Sequence, residues 1–242
     1  MIKTDEIAHY VSEHICEFHT KRLASLRAQD IDKLLRRKNP YLFKSKNILA
    51  AQELVRTILD AHLSSAEETI FGDFLERLAI FIAEKSFGGQ KSTTEGIDLD
   101  LVRDNVRYII SIKSGPNWGN SSQIAKMRDS FTKAKRILRT SGGKGEIVAI
   151  NGCCYGRNNS PDKGDYLKLC GQRFWELISG DTELYTRIIE PLGHQAKARN
   201  DEFMAEYAKI INNLTLGFIG KFCKPDGAID WSRFVEYNSK ET

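Results

Sequence analysis

Gly96-Ile97-Asp98-Leu99-Asp100-Leu101, a polar turn at Arg103-Asp104-Asn105, then Arg107-Tyr108-Ile109-Ile110-Ser111-Ile112-Lys113-Ser114-Gly115: this stretch reads as a β-hairpin with its chemistry at one edge. The Asp and Asn of the turn suit a bend between two apolar runs. Side chains alternate along a strand, so Tyr108, Ile110 and Ile112 share one face and Ile109, Ser111 and Lys113 the other. A hydroxyl and an ammonium therefore point the same way, just before a Gly-Pro break. Antiparallel pairing brings Asp98 beside them. A carboxylate, a short oxygen ligand and a lysine at the frayed end of a hairpin suit a Mg²⁺ and phosphate site. A plain Asp98–Lys113 salt bridge is the alternative.

Chemistry on a phosphodiester needs a hard cation, a carboxylate to hold it, and a positive charge near the nucleophile. Asp98 supplies the carboxylate, the backbone carbonyl of Ile112 a second oxygen, and Lys113 the charge. Ser111 is a weaker ligand and acts through water. One carboxylate holds Mg²⁺ poorly, so a second acid is required. The preceding segment, from a capping box at Ser65-Ala66-Glu67-Glu68 to about Lys85, reads as a helix apolar on most sides. Glu76 and Glu84 interrupt that apolar run, where a carboxylate is costly unless paired or metal-bound. Pairing with Arg77 or Lys85 is one explanation. Ligation of the same cation as Asp98 is the other, with Glu76 first and Glu95 and Asp100 in reserve.

Downstream, Gly115 to Ser122 is a loop rich in turn formers and amides, with Trp118 either facing DNA or plugging the core. Ser121 or Ser122 is expected to cap a helix to about Arg139 whose buried stripe is Ile124, Met127, Phe131, Ala134 and Leu138. Its other faces are basic. Lys126, Arg128, Lys133, Lys135, Arg136, Arg139 and Lys144 fall between Ile124 and Gly145 with the single acid Asp129. Either a solvated face or phosphate contact explains such a run. Ser141-Gly142-Gly143-Lys144-Gly145 is a flexible turn, not a phosphate-binding P-loop, because a strand follows it. That strand, Glu146 to Asn151, lacks clean alternation and fits burial on both faces. A polar loop, a strand at Tyr166–Cys170, a short helix from Gln172 to Ile178, a helix from Glu183 to Glu190 stopped by Pro191, and a long helix from His194 to about Phe222 follow. Pro225-Asp226-Gly227 turns the chain into a terminal piece with Trp231, Phe234 and Val235.

On the N-terminal side, residues 4–38 read as helical with a possible break, ended by Asn39-Pro40. Tyr41-Leu42-Phe43 reads as extended, and a helix is predicted from about Ile48 to His62. Lys33, Arg36, Arg37 and Lys38 form a second basic cluster. This region reads as scaffold or dimer contact, with DNA clamping as the competing role.

The whole chain sets bounds on these readings. Its 242 residues carry a formal net charge of +4, too mild to indicate nucleic acid without the local patches. No apolar run is long enough to span a membrane, and no apolar stretch follows Lys3 as in a signal peptide, so a cytoplasmic location is expected. The five cysteines form no CxxC pair and read as reduced, mostly buried side chains. One α/β domain over 1–242 is expected. It would have a helical region at 1–64, a catalytic core at 65–180 and a helical region at 181–242.

The order helix, hairpin, basic helix, strand resembles the PD-(D/E)XK nuclease core, a central mixed sheet flanked by helices. Further stretches sharpen the resemblance: Asn39-Pro40, Leu54-Val55 through His62-Leu63, Phe71-Gly72-Asp73-Phe74-Leu75, Gly96-Ile97-Asp98, Ser111-Ile112-Lys113-Ser114-Gly115, Gly171-Gln172-Arg173-Phe174-Trp175, and Asp226-Gly227 with Trp231. From about residue 39 to 237 the chain resembles a type II restriction endonuclease family that cuts short, partly degenerate palindromic DNA as a homodimer. The Ser-x-Lys form departs from the (D/E)xK of the superfamily, and enzymes with this variant draw the missing acid from elsewhere in the fold, often a helix. The resemblance implies a Mg²⁺-dependent, double-strand-cleaving homodimer with a cognate DNA methyltransferase as its genetic partner. It carries over Asp98, Ser111 and Lys113 as catalytic residues, with Glu76 as the added acid. Phosphate and base contacts are expected from Asn117, Trp118, Asn120, Gln123, Lys126, Lys133, Arg157 and Asn158. A structure-specific repair or junction nuclease of the same core is one rival reading, and a non-catalytic DNA-binding protein is another.

Overall fold

The hairpin turns where its sequence implies. In the computed structural model, which describes residues 2–36, 38–140 and 145–241, Asp104 and Asn105 take φ of 51° and 61°. Two successive left-handed residues make a tight turn whose twist matches that of its strands, and Asp and Asn tolerate it.

In chain order the elements are α1 (Thr4–Arg27), α2 (Ile31–Leu35), α3 (Pro40–Ser45), α4 (Ala51–Phe87), β1 (Gln90–Lys91), β2 (Leu99–Arg103), β3 (Val106–Lys113), α5 (Ser121–Thr140), β4 (Glu146–Cys153), β5 (Leu167–Cys170), α6 (Gln172–Ser179), α7 (Leu184–Arg187), α8 (Ile189–Leu192), α9 (Ala196–Phe222) and α10 (Trp231–Ser239). The five strands form one sheet in the order β1-β2-β3-β4-β5. β1 and β3 flank β2 antiparallel, whereas β3, β4 and β5 run parallel. This is the mixed, helix-flanked sheet of a restriction-endonuclease-like α/β fold, as the element order implied. β4 is buried from Ala149 through Cys153, the reason its sequence does not alternate.

The chain divides into two compact units, Met1–Cys16 with Phe71–His194, and Glu17–Ile70 with Gln195–Thr242. The first holds the sheet. Its core includes Ile97, Ile109, Met127, Phe131, Ala134, Ala149 and Tyr166. The helix stripe expected on α5 thus faces inward, while Lys126, Arg136 and Arg139 stay exposed. Gly152 lets β4 lie against α6, because a Cβ there would stand 2.3 Å from the Phe174 ring. The second unit packs Leu54, Ile58 and Leu59 of α4 with Phe218, Phe222 and Phe234 of α9 and α10, and the half-buried Arg22–Glu67 pair closes at 2.6 Å.

Several local expectations are overturned. Tyr41-Leu42-Phe43 is helical, not extended: Asn39 caps α3 by accepting from the Tyr41 and Leu42 amides, with Pro40 at the first position. Asn39-Pro40 does not end the preceding helix, which already stops at Leu35; it starts the next one, since a first-turn proline lacks only an amide that has no partner anyway. Ser65 caps nothing. α4 runs unbroken through it, its carbonyl accepts from Thr69 at 3.1 Å, and Glu67 pairs with Arg22 instead of reaching back. Glu84 is exposed, so it bears no burial cost. Pro191 does not stop a helix; it sits in the first turn of the four-residue α8. Arg37 and the turn at 141–144, with Lys144, lie outside the described residues. The five thiols are free, with Cys153, Cys154 and Cys170 buried. Among the described residues, no helix is long and apolar enough to cross a membrane.

Candidate active site

The turn before β2 is set by Gly96. Its φ is +78°, and a Cβ there would come within 2.5 Å of Ser130 Oγ on α5, so only glycine lets the chain pass so close. The backbone then joins the ladder one residue before β2: the Asp98 amide donates to Ile110 O at 2.9 Å. That fixes the Asp98 side chain across the end of β3. Its Oδ2 accepts from the Ile112 amide at 2.6 Å and from Ser111 Oγ at 3.4 Å. The first is a short, charge-assisted bond.

Lys113 closes the group. Its Nζ lies 3.9 Å from Asp98 Oδ2 and donates to the Ile112 carbonyl at 2.8 Å. Asp98, Ser111, the Ile112 carbonyl and Lys113 are therefore together, as the hairpin register required. Glu76 joins them from α4. Burial, followed by the negative charge of Asp98, pushes its carboxyl up, against an opposing pull from Lys113 and Lys91. Two acids thus share one field, and their mutual repulsion is relieved by a cation. Among the described residues no three His, Cys, Asp or Glu side chains cluster. One or two carboxylates are enough for a hard divalent cation that keeps several of its waters. Asp98, Glu76 and the Ile112 carbonyl would hold it.

The reserve acids are elsewhere. Asp100 is held by Arg107 through two guanidinium nitrogens, the closest at 2.6 Å. Glu95 is exposed and stands 3.9 Å from Lys126. Neither reaches the group around Asp98.

A residue that sequence reading passed over lies beneath the site. Asn151, 1% exposed, faces Ser111 across the parallel β3–β4 register. Its Nδ2 donates to Ser111 O at 3.3 Å, and its Oδ1 accepts from Trp118 Nε1 at 3.0 Å. The Lys113 ammonium sits 5.3 Å over the Trp118 ring, within cation–π range. Trp118 is thus a half-buried wall of the site, packed on the apolar cluster under α5. The signal available in the sequence was one amide closing an otherwise apolar β4 run, since a buried amide must be bonded.

The expected DNA contacts separate into two groups. Asn117, Lys126 and Arg157 are exposed. Asn120, not Ser121 or Ser122, caps α5: its Oδ1 accepts from the Gln123 amide at 3.1 Å, and Gln123 Oε1 accepts from the Asn120 amide at 2.9 Å. That reciprocal pair is a capping box, which occupies both carboxamide oxygens. Lys133 pairs with Asp129 at 2.6 Å, and Arg128 with Asp165 at 3.1 Å. Asn158 Nδ2 donates to Lys168 O at 2.9 Å and holds its own loop.

No curated protein matches the chain. The family model of the type II restriction endonuclease EcoO109I matches residues 5–200, a span that includes α4, the whole sheet, α5 and every residue gathered around Asp98. A match over most of the chain, on a mixed sheet with an acid–lysine group at the end of its central hairpin, establishes the kinship: the chain belongs to the EcoO109I family of type II restriction endonucleases.

Proposed function

We propose that the protein is a Mg²⁺-dependent endonuclease of the PD-(D/E)XK type, in its Ser-x-Lys form, which cuts both strands of DNA at a short palindromic site. The observation that carries this reading is the Asp98 carboxylate, fastened to the Ile112 amide at 2.6 Å with Lys113 Nζ at 3.9 Å and Glu76 within its field. Mg²⁺, when bound, neutralises phosphate charge and lowers the pKa of a bound water.

The chain's own residues do the rest. Asp98 and Glu76 would hold the cation. Lys113 faces the charge that develops on the phosphate and orients the attacking water. Ser111 steadies Asp98 through its hydroxyl and fills the position of the superfamily's second acid, so Glu76 replaces that acid from α4. Lys126, Arg157 and Asn117 meet the DNA, with Lys133 exchanging Asp129 for a phosphate, and binding weakens as salt rises. Asn120 and Gln123 serve by fixing the start of α5 beside the site, and Trp118 by walling Lys113. A homodimer is proposed because its two-fold axis matches that of a palindrome. A cognate DNA methyltransferase and a cytoplasmic location belong to the same reading.

Incubation of the full chain with plasmid and Mg²⁺ tests the proposal. Discrete fragments are expected. Cuts confined to branched or damaged DNA would make it a structure-specific nuclease, and duplex binding without cleavage a binding protein. The wall gives a finer prediction. Trp118→Leu removes both the ring under Lys113 and the donor to Asn151, and is expected to slow single-turnover cleavage about 10-fold. It is also expected to lower stability by roughly 1 kcal/mol, because Asn151 Oδ1 loses its indole donor and keeps only the weak Cys153 thiol at 4.0 Å. Trp118→Phe keeps the ring and should recover most of the rate but little of the stability.

A further inference from the structure

Where the chain leaves β4 and β5 there is a cleft of about 660 Å³. Tyr155, Arg157, Asn159, Gln172, Arg173 and Tyr185 line it, and no carboxylate does. Arg157 and Arg173 are exposed. Among the described residues neither enters an ion pair, whereas Arg103, Arg107, Arg128 and Arg187 of the same unit each have an acidic partner. Two unpaired guanidiniums in a concave, acid-free wall attract an anion. The exposed Tyr155 and Tyr185 add ring faces against which a sugar can rest.

The cleft is built onto the catalytic strand. The Cys154 amide donates to Lys113 O at 2.9 Å and the Tyr155 amide to Ser114 O at 3.1 Å. The Tyr155 ring covers Gly115 so closely that a Cβ there would lie 2.3 Å from it. The far wall is anchored too: the Gly171 amide donates to Cys153 O at 2.9 Å, and Lys168 Nζ to Pro116 O at 2.6 Å. Its rim therefore continues directly from Lys113.

We infer that this cleft holds the sugar–phosphate backbone of the cut strand beside the scissile bond, with Arg157 and Arg173 on its phosphates. The inference rests on the nuclease reading. The test is duplex binding by the full chain in metal-free buffer as salt is varied, on cognate and non-cognate DNA. Each phosphate contact contributes about 0.9 to the slope of log K against log salt. Arg157→Gln/Arg173→Gln is expected to reduce that slope by about 1.8 on both DNAs. Arg157→Lys/Arg173→Lys should restore it, because a phosphate accepts a point charge while a base edge needs the fork. An unchanged slope in the glutamine variant overturns the inference. A loss confined to cognate DNA that lysine fails to restore also overturns it and makes the arginines base readers. If the unaltered chain binds no duplex, it is the nuclease reading that fails.

Discussion

Lys113→Ala is expected to slow DNA cleavage by at least about 10²–10³-fold and to leave duplex binding near its original strength. Lys113 ends β3, and its ammonium is held in three directions: by the Ile112 carbonyl at 2.8 Å, by Asp98 at 3.9 Å and by the Trp118 ring at 5.3 Å. A charge fixed in advance where negative charge develops acts without reorganisation during the reaction, which is why its loss falls on the rate. Folding should survive, because Lys113 is only half-buried and a partly exposed ion pair is worth little. Lys113→Arg is not a rescue, since the planar guanidinium cannot occupy the place of a compact ammonium. Single-turnover cleavage with Mg²⁺, paired with binding in metal-free buffer, measures both quantities. Cleavage at the original rate would remove Lys113 from the chemistry. An equal loss of binding would make it a phosphate contact only.

The site was legible in the sequence where it depended on strand alternation and on pairing. Asp98, Ser111 and Lys113 meet because a two-residue turn at Asp104-Asn105 leaves a single register. What sequence reading lost was decided by partners remote in the chain. Asn151 gives no local sign that its amide will find Ser111 and Trp118. Asp100 looked available until Arg107 proved to lie diagonally across the hairpin. Helix boundaries failed for a different reason. Ser65-Ala66-Glu67-Glu68 has the composition of a cap, yet packing of Leu59 and Leu63 on one side and Phe74 and Leu78 on the other gives more than a cap can, and α4 runs through. At Asn120 the error was reversed. Any of three successive polar residues fitted the cap, and Gln123, three positions after Asn120, selected it.

Glu76→Gln separates the two roles open to an acid on α4. If Glu76 completes the cation site, the variant should lose at least about 100-fold in cleavage and be no less stable than the original protein in metal-free buffer. The sign follows from the carboxyl. Burial and Asp98 raise its pKa above the ordinary 4.5, so the folded protein holds this proton more tightly than the unfolded chain does. Stability from this group is fully present below 4.5 and declines as pH rises through the folded value. At neutral pH the ionised Glu76 therefore opposes folding, and glutamine removes that opposition. Relative to the original protein, Glu76→Gln should gain in melting temperature as pH rises above 4.5, until Glu76 is fully ionised. Mg²⁺ should then stabilise the original protein and leave the variant nearly unmoved, because only the former recovers its binding energy on ligation. A structural partner such as Arg77 or Lys85 requires the opposite result: a lower melting temperature in metal-free buffer and an unchanged response to Mg²⁺. The acid that the Ser-x-Lys motif lacks is thus identified by two thermal scans, independently of any cleavage assay, and a site that strains the metal-free fold is what a carboxylate kept for a cation implies.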